Sequence, residues 1–166
     1  MNLRMPALQA CLEAAGFGNV KTLLSSGNVV FNSRATAAST LERKIETALT
    51  EYFGQAFVTI VRPAEALAAI LDSDPYSAFR PSARAKRIVS FLRKPPNSRL
   101  KLPIEFEGAR ILCVRGTEIF SVYLPNPRGP AFMALIEKTF GKEITTRTWD
   151  TLTKVAAAAQ TIKSNK

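Results

Sequence analysis

Ile88-Val89-Ser90-Phe91-Leu92 sets four large apolar side chains around one small hydroxyl, with no alternation of apolar and polar positions. A strand with one wet face alternates, whereas a strand covered on both faces does not. The run therefore predicts a strand at the centre of a sheet, cut off downstream by Pro95-Pro96. Asn97–Leu102 is read as a short helix. Ala109–Arg115 and Glu118–Leu124 then form a hairpin around Gly116-Thr117. Pro130 opens a helix with Phe132, Leu135, Ile136 and Phe140 in register, and Gly141 ends it. A strand at Ile144–Arg147 follows. Asp150 is the expected cap of a last helix that runs through Ala159, with Gln160–Lys166 frayed. The order of this half is β-α-β-β-α-β-α.

Upstream the pattern is similar. Met5, Leu8, Leu12 and Ala15 recur at helical spacing between Pro6 and Gly16. Val20–Leu24 and Val29–Phe31 flank Ser25-Ser26-Gly27-Asn28, a hairpin signal. Ser39-Thr40-Leu41-Glu42 reads as a capping box before a helix that Gly54 stops. Phe57–Val61 is an expected strand, and Pro63 opens a helix with Leu67, Ile70 and Leu71 on its buried side. This half reads α-β-β-α-β-α and matches the other once a leading strand is restored. The fold class expected is α+β, two ferredoxin-like βαββαβ halves over 1–83 and 84–166, the first lacking its N-terminal strand. We therefore expect the natural chain to begin upstream of Met1, and a native mass equal to that of the 166-residue chain would refute this.

With 46% apolar and 22% charged residues, the chain can bury a core. No apolar run is long enough to cross a bilayer, and no basic segment precedes an apolar stretch at the N-terminus, so a cytoplasmic location is expected. There is no histidine, which excludes Ser-His and Cys-His nucleophile pairs and histidine metal sites. Cys11 and Cys113 both lie in apolar stretches and read as small core residues. No metal site is expected, and nothing in the sequence names a cofactor. Net charge is +10, and by sequence halves it is one-sided: residues 1–83 carry seven basic and seven acidic side chains, residues 84–166 sixteen and six. Between Pro75 and Ile104 there is no acid, while Arg80, Arg84, Lys86, Arg87, Arg93, Lys94, Arg99 and Lys101 are all basic. Such a field attracts anions, although many charge runs serve only as a solvated face.

Ser26-Gly27-Asn28-Val29-Val30-Phe31, after a helix ending Ala14-Ala15-Gly16-Phe17, resembles the hallmark hairpin of domain-of-unknown-function family 1697. Tyr123-Leu124-Pro125-Asn126 is similar to its second motif. Thr145-Thr146-Arg147-Thr148-Trp149-Asp150-Thr151 is similar to its third, which more often has asparagine in place of Thr148 and Asp150. Members of that family usually open with an apolar strand and an arginine- and glycine-rich turn that this sequence lacks. The resemblance implies a two-part, ferredoxin-like α+β fold and no assigned activity.

Three polar motifs are candidates to converge. Ser26, Gly27 and Asn28 form the first, with an ordinary hairpin turn as the plainer reading. Asn126 and Arg128, before the helix at Pro130, form the second, where free N–H groups and an arginine suit an anion. Arg147, Trp149 and Asp150 form the third, with Arg147 gripping an anion and Trp149 stacking on a ring, Lys154 one turn on. Helix capping and packing account for the same residues without a ligand. Glu105 and Glu107 are read as one solvated strand face. The function expected is binding of an anionic ligand or partner, a phosphorylated metabolite or nucleic acid, through the basic second half. The alternatives are an enzyme acting on a small anionic metabolite without histidine or metal, and a protein-interaction or self-association module.

Overall fold

The structure, a computed structural model, describes residues 4–24, 27–97, 99–125 and 131–164. The chain divides into two units: Met1–Ala68 together with Thr153–Lys166, and Ala69–Leu152. This differs from the sequence halves 1–83 and 84–166. Residues 69–83 go with the second unit, and most of the last helix goes with the first.

In the first unit, α1 (Met5–Ala14) carries Pro6 in its first turn and ends before Gly16, whose φ of +98° a side chain would resist. Its Leu8, Cys11 and Leu12 recur on one face and pack with Phe17 and Val20 against Ile45 and Leu49 of α2 (Ala38–Phe53). Burying such side chains contributes about 1.5–3 kcal/mol each. β1 (Gly18–Leu23) and β2 (Asn28–Asn32) form an antiparallel pair, Lys21 opposite Val30 and Leu23 opposite Asn28. Alternation sends Val29 and Phe31 of β2 to the α1–α2 core and Val30 to the other side. There Val30 meets Ala158, Ala159 and Ile162 of α5 (Trp149–Ser164). The segment expected to fray from Gln160 is thus helical to Ser164, because Ile162 has an apolar surface to cover.

Two expectations fail here for one reason. α2 has no side-chain cap, and Ala37 stands at its N-cap. Glu42, the supposed capping-box acid, is buried, and its carboxylate accepts the Val61 N–H at 2.8 Å. Glu46 accepts the Thr59 N–H at 3.4 Å. The Phe57–Val61 segment is not a strand, and two of its donors are spent on helix carboxylates rather than on a ladder. α3 (Ala64–Ser73) starts after Pro63 as expected.

The second unit holds β3 (Lys86–Leu92), β4 (Ile104–Phe106), β5 (Ala109–Arg115), β6 (Glu118–Tyr123), α4 (Ala131–Phe140) and β7 (Ile144–Thr148). The sheet order is β4-β5-β6-β3-β7, with every neighbouring pair antiparallel. β3 lies between β6 and β7, and Ile88 through Leu92 are all buried, as the unbroken apolar run requires. One face packs Ile88, Ile111 and Ile119 against Phe132 and Ile136 of α4. Within that face Ser90 Oγ lies 3.0 Å from Thr146 Oγ1, which satisfies a buried hydroxyl. Val89 and Phe120 pair on the opposite face. There Tyr76, wholly buried, sits edge-on to Phe120 and to Trp149, ring centroids 5.9 and 5.2 Å away, and donates its hydroxyl to the Ile88 carbonyl.

The crossover from β3 to β5 departs from the βαββαβ expectation. No helix forms over the described residues of 97–102. Asn97 Oδ1 instead accepts the Arg99 N–H at 2.9 Å, a local turn that competes with helix, and the chain continues into the short edge strand β4. The α+β class stands, while the observed order in this unit is β-β-β-β-α-β. The cap of α5 is Thr148, whose Oγ1 accepts the Thr151 N–H at 3.1 Å, and Asp150 lies in the first turn instead.

Candidate functional site

The acid-free stretch lies wholly in the second unit, and its charges gather at the two ends of β3. Lys86 and Arg87 open the strand, Arg93 and Lys94 follow its end, and Arg80, Arg84, Lys94, Arg99 and Lys101 are exposed. Counted by structural unit, residues 69–152 carry fourteen basic and eight acidic side chains, and the remainder nine and five. The surplus is therefore +6 and +4, less one-sided than the sequence halves suggest, because Lys154, Lys163 and Lys166 belong to the first unit. Some of these cations have internal work. The Arg87 guanidinium stands 5.5 Å from the centre of the Tyr76 ring. Arg115 stands 6.0 Å from that of Phe120 and donates to Ser73 Oγ at 3.2 Å. Arg110 Nε lies 2.9 Å from Glu105 Oε1, a solvent-facing ion pair not aligned as a hydrogen bond and so worth little.

Of the eight residues expected to form a site, Ser26, Asn126 and Arg128 lie outside the described residues. Gly27 and Asn28 belong to the first unit. Gly27 has φ +86°, and the buried Asn28 donates its amide to the Leu23 carbonyl at 3.2 Å, so these two residues serve the hairpin turn itself. Arg147, Trp149 and Asp150 follow one another at the β7–α5 junction. Arg147 is half-buried and donates Nη1 to the Thr146 carbonyl at 2.8 Å, and burial pushes its guanidinium below the usual arginine value. Trp149 gives its ring to Tyr76. Asp150 is exposed in the first turn of α5, where the helix dipole favours a negative charge. Arg147 pairs with Val89 and Thr146 with Ser90, so these two β7 side chains leave opposite faces of the sheet.

Two cavities open on the second unit, of about 330 and 390 Å3. They share Glu107, Ala109, Tyr123 and Leu124 as a common wall. The larger runs along the α4 face to Thr146, under the stacked rings of Tyr123 and Phe132, whose centroids are 5.3 Å apart. Pro125 and Ala131, the described residues either side of 126–130, both line it. None of the eight expected site residues is in the described lining of either cavity, although Pro125 and Thr146, next to Asn126 and Arg147 in sequence, line the larger one. The charged residues of the described lining are Glu105, Glu107 and Arg110. Glu105 and Glu107 do not share a strand face. Glu105 is in β4, and Glu107 occupies the two-residue turn between β4 and β5 with φ +47°. Tyr123 and Phe132 carried a sequence signal only as core positions, and Glu107 only as a solvated charge.

The paired central strands β3 and β6 present no fully exposed aromatic on which a base could stack. Phe91 and Phe120 are 6% and 1% exposed. No group of three His, Cys, Asp or Glu suited to a metal occurs among the described residues, and no described helix is long and apolar enough to cross a membrane. Cys11 is buried, Cys113 is half-buried, and both are free thiols.

The family described as "Protein of unknown function (DUF1697)" matches residues 1–111, two thirds of the chain, which include the first of the three motifs. Among solved structures, the conserved bacterial protein SP0830 from Streptococcus pneumoniae is similar, with a TM-score of 0.69 at 20% identity. The alignment covers 95% of this chain and 89% of that one. At that identity the likeness is one of fold. No curated protein matches.

Proposed function

We propose, for a chain that belongs to the DUF1697 family of proteins of unknown function, that the second unit binds polyanions across its surface, with nucleic acid as the class in view. The observation that carries this is the acid-free run from Tyr76 to Pro103 with its cations exposed at both ends of β3. Recognition here is by phosphate charge, since Phe91 and Phe120 of the central strands β3 and β6 are buried and unavailable to bases. A small anionic metabolite is the weaker reading. The charged side chains of the described cavity walls are two glutamates and one arginine that lies beside Glu105, and Arg147 and Trp149 have packing duties of their own.

The test is fluorescence anisotropy with a labelled single-stranded RNA of about 20 nucleotides, at salt from about 50 to 300 mM. Each phosphate neutralised adds about 0.7 to the slope of log K against log salt for a single strand. Replacing Arg84 and Lys86 together by glutamine is expected to lower that slope by about 1.4, twice this increment. Affinity that ignores ionic strength, or a slope unmoved by the double variant, overturns the proposal.

A further inference from the structure

We infer that the two adjoining cavities of the second unit form a docking groove for a protein segment that presents a basic side chain between apolar ones. Six large apolar residues are conspicuously exposed among those described, and three of them, Phe106, Leu124 and Met133, line these cavities at 51, 44 and 37% exposure. Isolated exposed apolar residues need no explanation, but clustering at a concave surface marks a binding site. Tyr123, half-buried and stacked on the core residue Phe132, lines the larger cavity beside Leu124 and Met133.

Charge decides the chemistry of the occupant. After the long acid-free stretch, the first acids are Glu105 and Glu107, and both line this groove. Glu105 has Arg110 beside it, Nε 2.9 Å from its Oε1. No described residue holds the Glu107 carboxylate, and Glu107 lies on the wall common to both cavities. The groove thus offers the Glu107 carboxylate, framed by apolar side chains, which complements arginine or lysine and repels an acidic ligand. The turn that carries Glu107 asks for left-handed backbone at both positions, which Gly108 accepts freely and which asparagine accepts better than glutamate. Local structure alone therefore does not account for an acid at this position.

The experiment uses the full chain, 15N-labelled, titrated at constant ionic strength with two blocked tripeptides: arginine between leucine and phenylalanine, and glutamate in the same place. The arginine peptide is expected to shift the amides of Gly108, Leu124 and Met133 and to bind at least about twofold more tightly than its glutamate counterpart. Glu107→Asn, which suits the turn, is expected to weaken the arginine peptide by about two- to fivefold, as for an exposed ion pair, with the remaining spectrum unchanged. Leu124→Ser is expected to weaken both peptides. Equal binding of the two peptides, or an unchanged affinity in Glu107→Asn, overturns the inference. So does a shift of the same amides with protein concentration alone, because a second copy of the chain would then be the occupant.

Discussion

Replacing Tyr76 by phenylalanine removes a single oxygen from the centre of the second unit. The ring and its edge-on contacts with Phe120 and Trp149 are retained, so no cavity opens. The loss is the hydrogen bond to the Ile88 carbonyl, in the strand that pairs on both sides. A buried acceptor left without its donor costs about 1–3 kcal/mol, which sets the drop in unfolding free energy expected near pH 8. The same hydroxyl adds a pH dependence of known sign. Burial foremost, with Cys113 nearby and Arg87 opposing, pushes the Tyr76 phenol well above its ordinary value. The folded protein keeps that proton where the unfolded chain, with a tyrosine pKa of about 10, gives it up. The stabilisation is therefore complete below about pH 10 and declines as pH rises, by about 1.4 kcal/mol one unit higher. The phenylalanine variant has no phenol at 76 to lose, while every other titrating group is common to both proteins. Urea unfolding followed by circular dichroism at about pH 8 and pH 11 should show the gap between the two narrowing by about 1.4 kcal/mol. A gap that stays constant, or a Tyr76 phenol that ionises before the protein unfolds, would refute the reasoning.

Two further outcomes check the fold. Thr148→Ala should lower stability by about 1 kcal/mol through loss of the α5 cap, with Thr148→Ser recovering most of it; a neutral alanine variant would return the capping role to Asp150. Amides of Val29–Phe31 in the two-stranded sheet should exchange at least about tenfold faster than those of Val89–Phe91, because β3 is paired on both sides and buried while β2 has one described partner strand; equal protection would contradict this.

The parts of the fold legible in the sequence were those where one physical signal acted alone. The run Ile88–Leu92 had no polar face to offer and so had to be central. Gly54 and Gly141 stop α2 and α4 because φ values of +74° and +88° suit a residue without a side chain. The failures came where a side chain made a long-range choice. Glu42 stands where a capping box would place it, yet it reaches Val61, nineteen positions away, and that bond costs the sequence both the cap and the Phe57–Val61 strand. Asn97 opens a stretch read as a short helix, but its amide oxygen takes the Arg99 N–H instead. Periodicity carries no information about such partners.

The candidate site was harder to read because a site depends on which charges remain unpaired. In the sequence Arg147 and Trp149 looked available, and in the structure the guanidinium bonds its neighbour's carbonyl while the indole packs on Tyr76. Glu107 looked like half of a solvated pair, yet strand pairing sets Glu105 beside Arg110 and leaves the Glu107 carboxylate without a partner among the described residues, on the wall of two cavities. The net charge of +10 is therefore a poor guide to local chemistry. The screening length of physiological salt is about 8 Å, so a ligand at the groove is governed by the carboxylate it touches, and a polyanion lying along the exposed cations is governed by the arginines and lysines within that reach. The salt dependence of RNA binding and the charge preference at Glu107 report different contacts, and are therefore separate measurements.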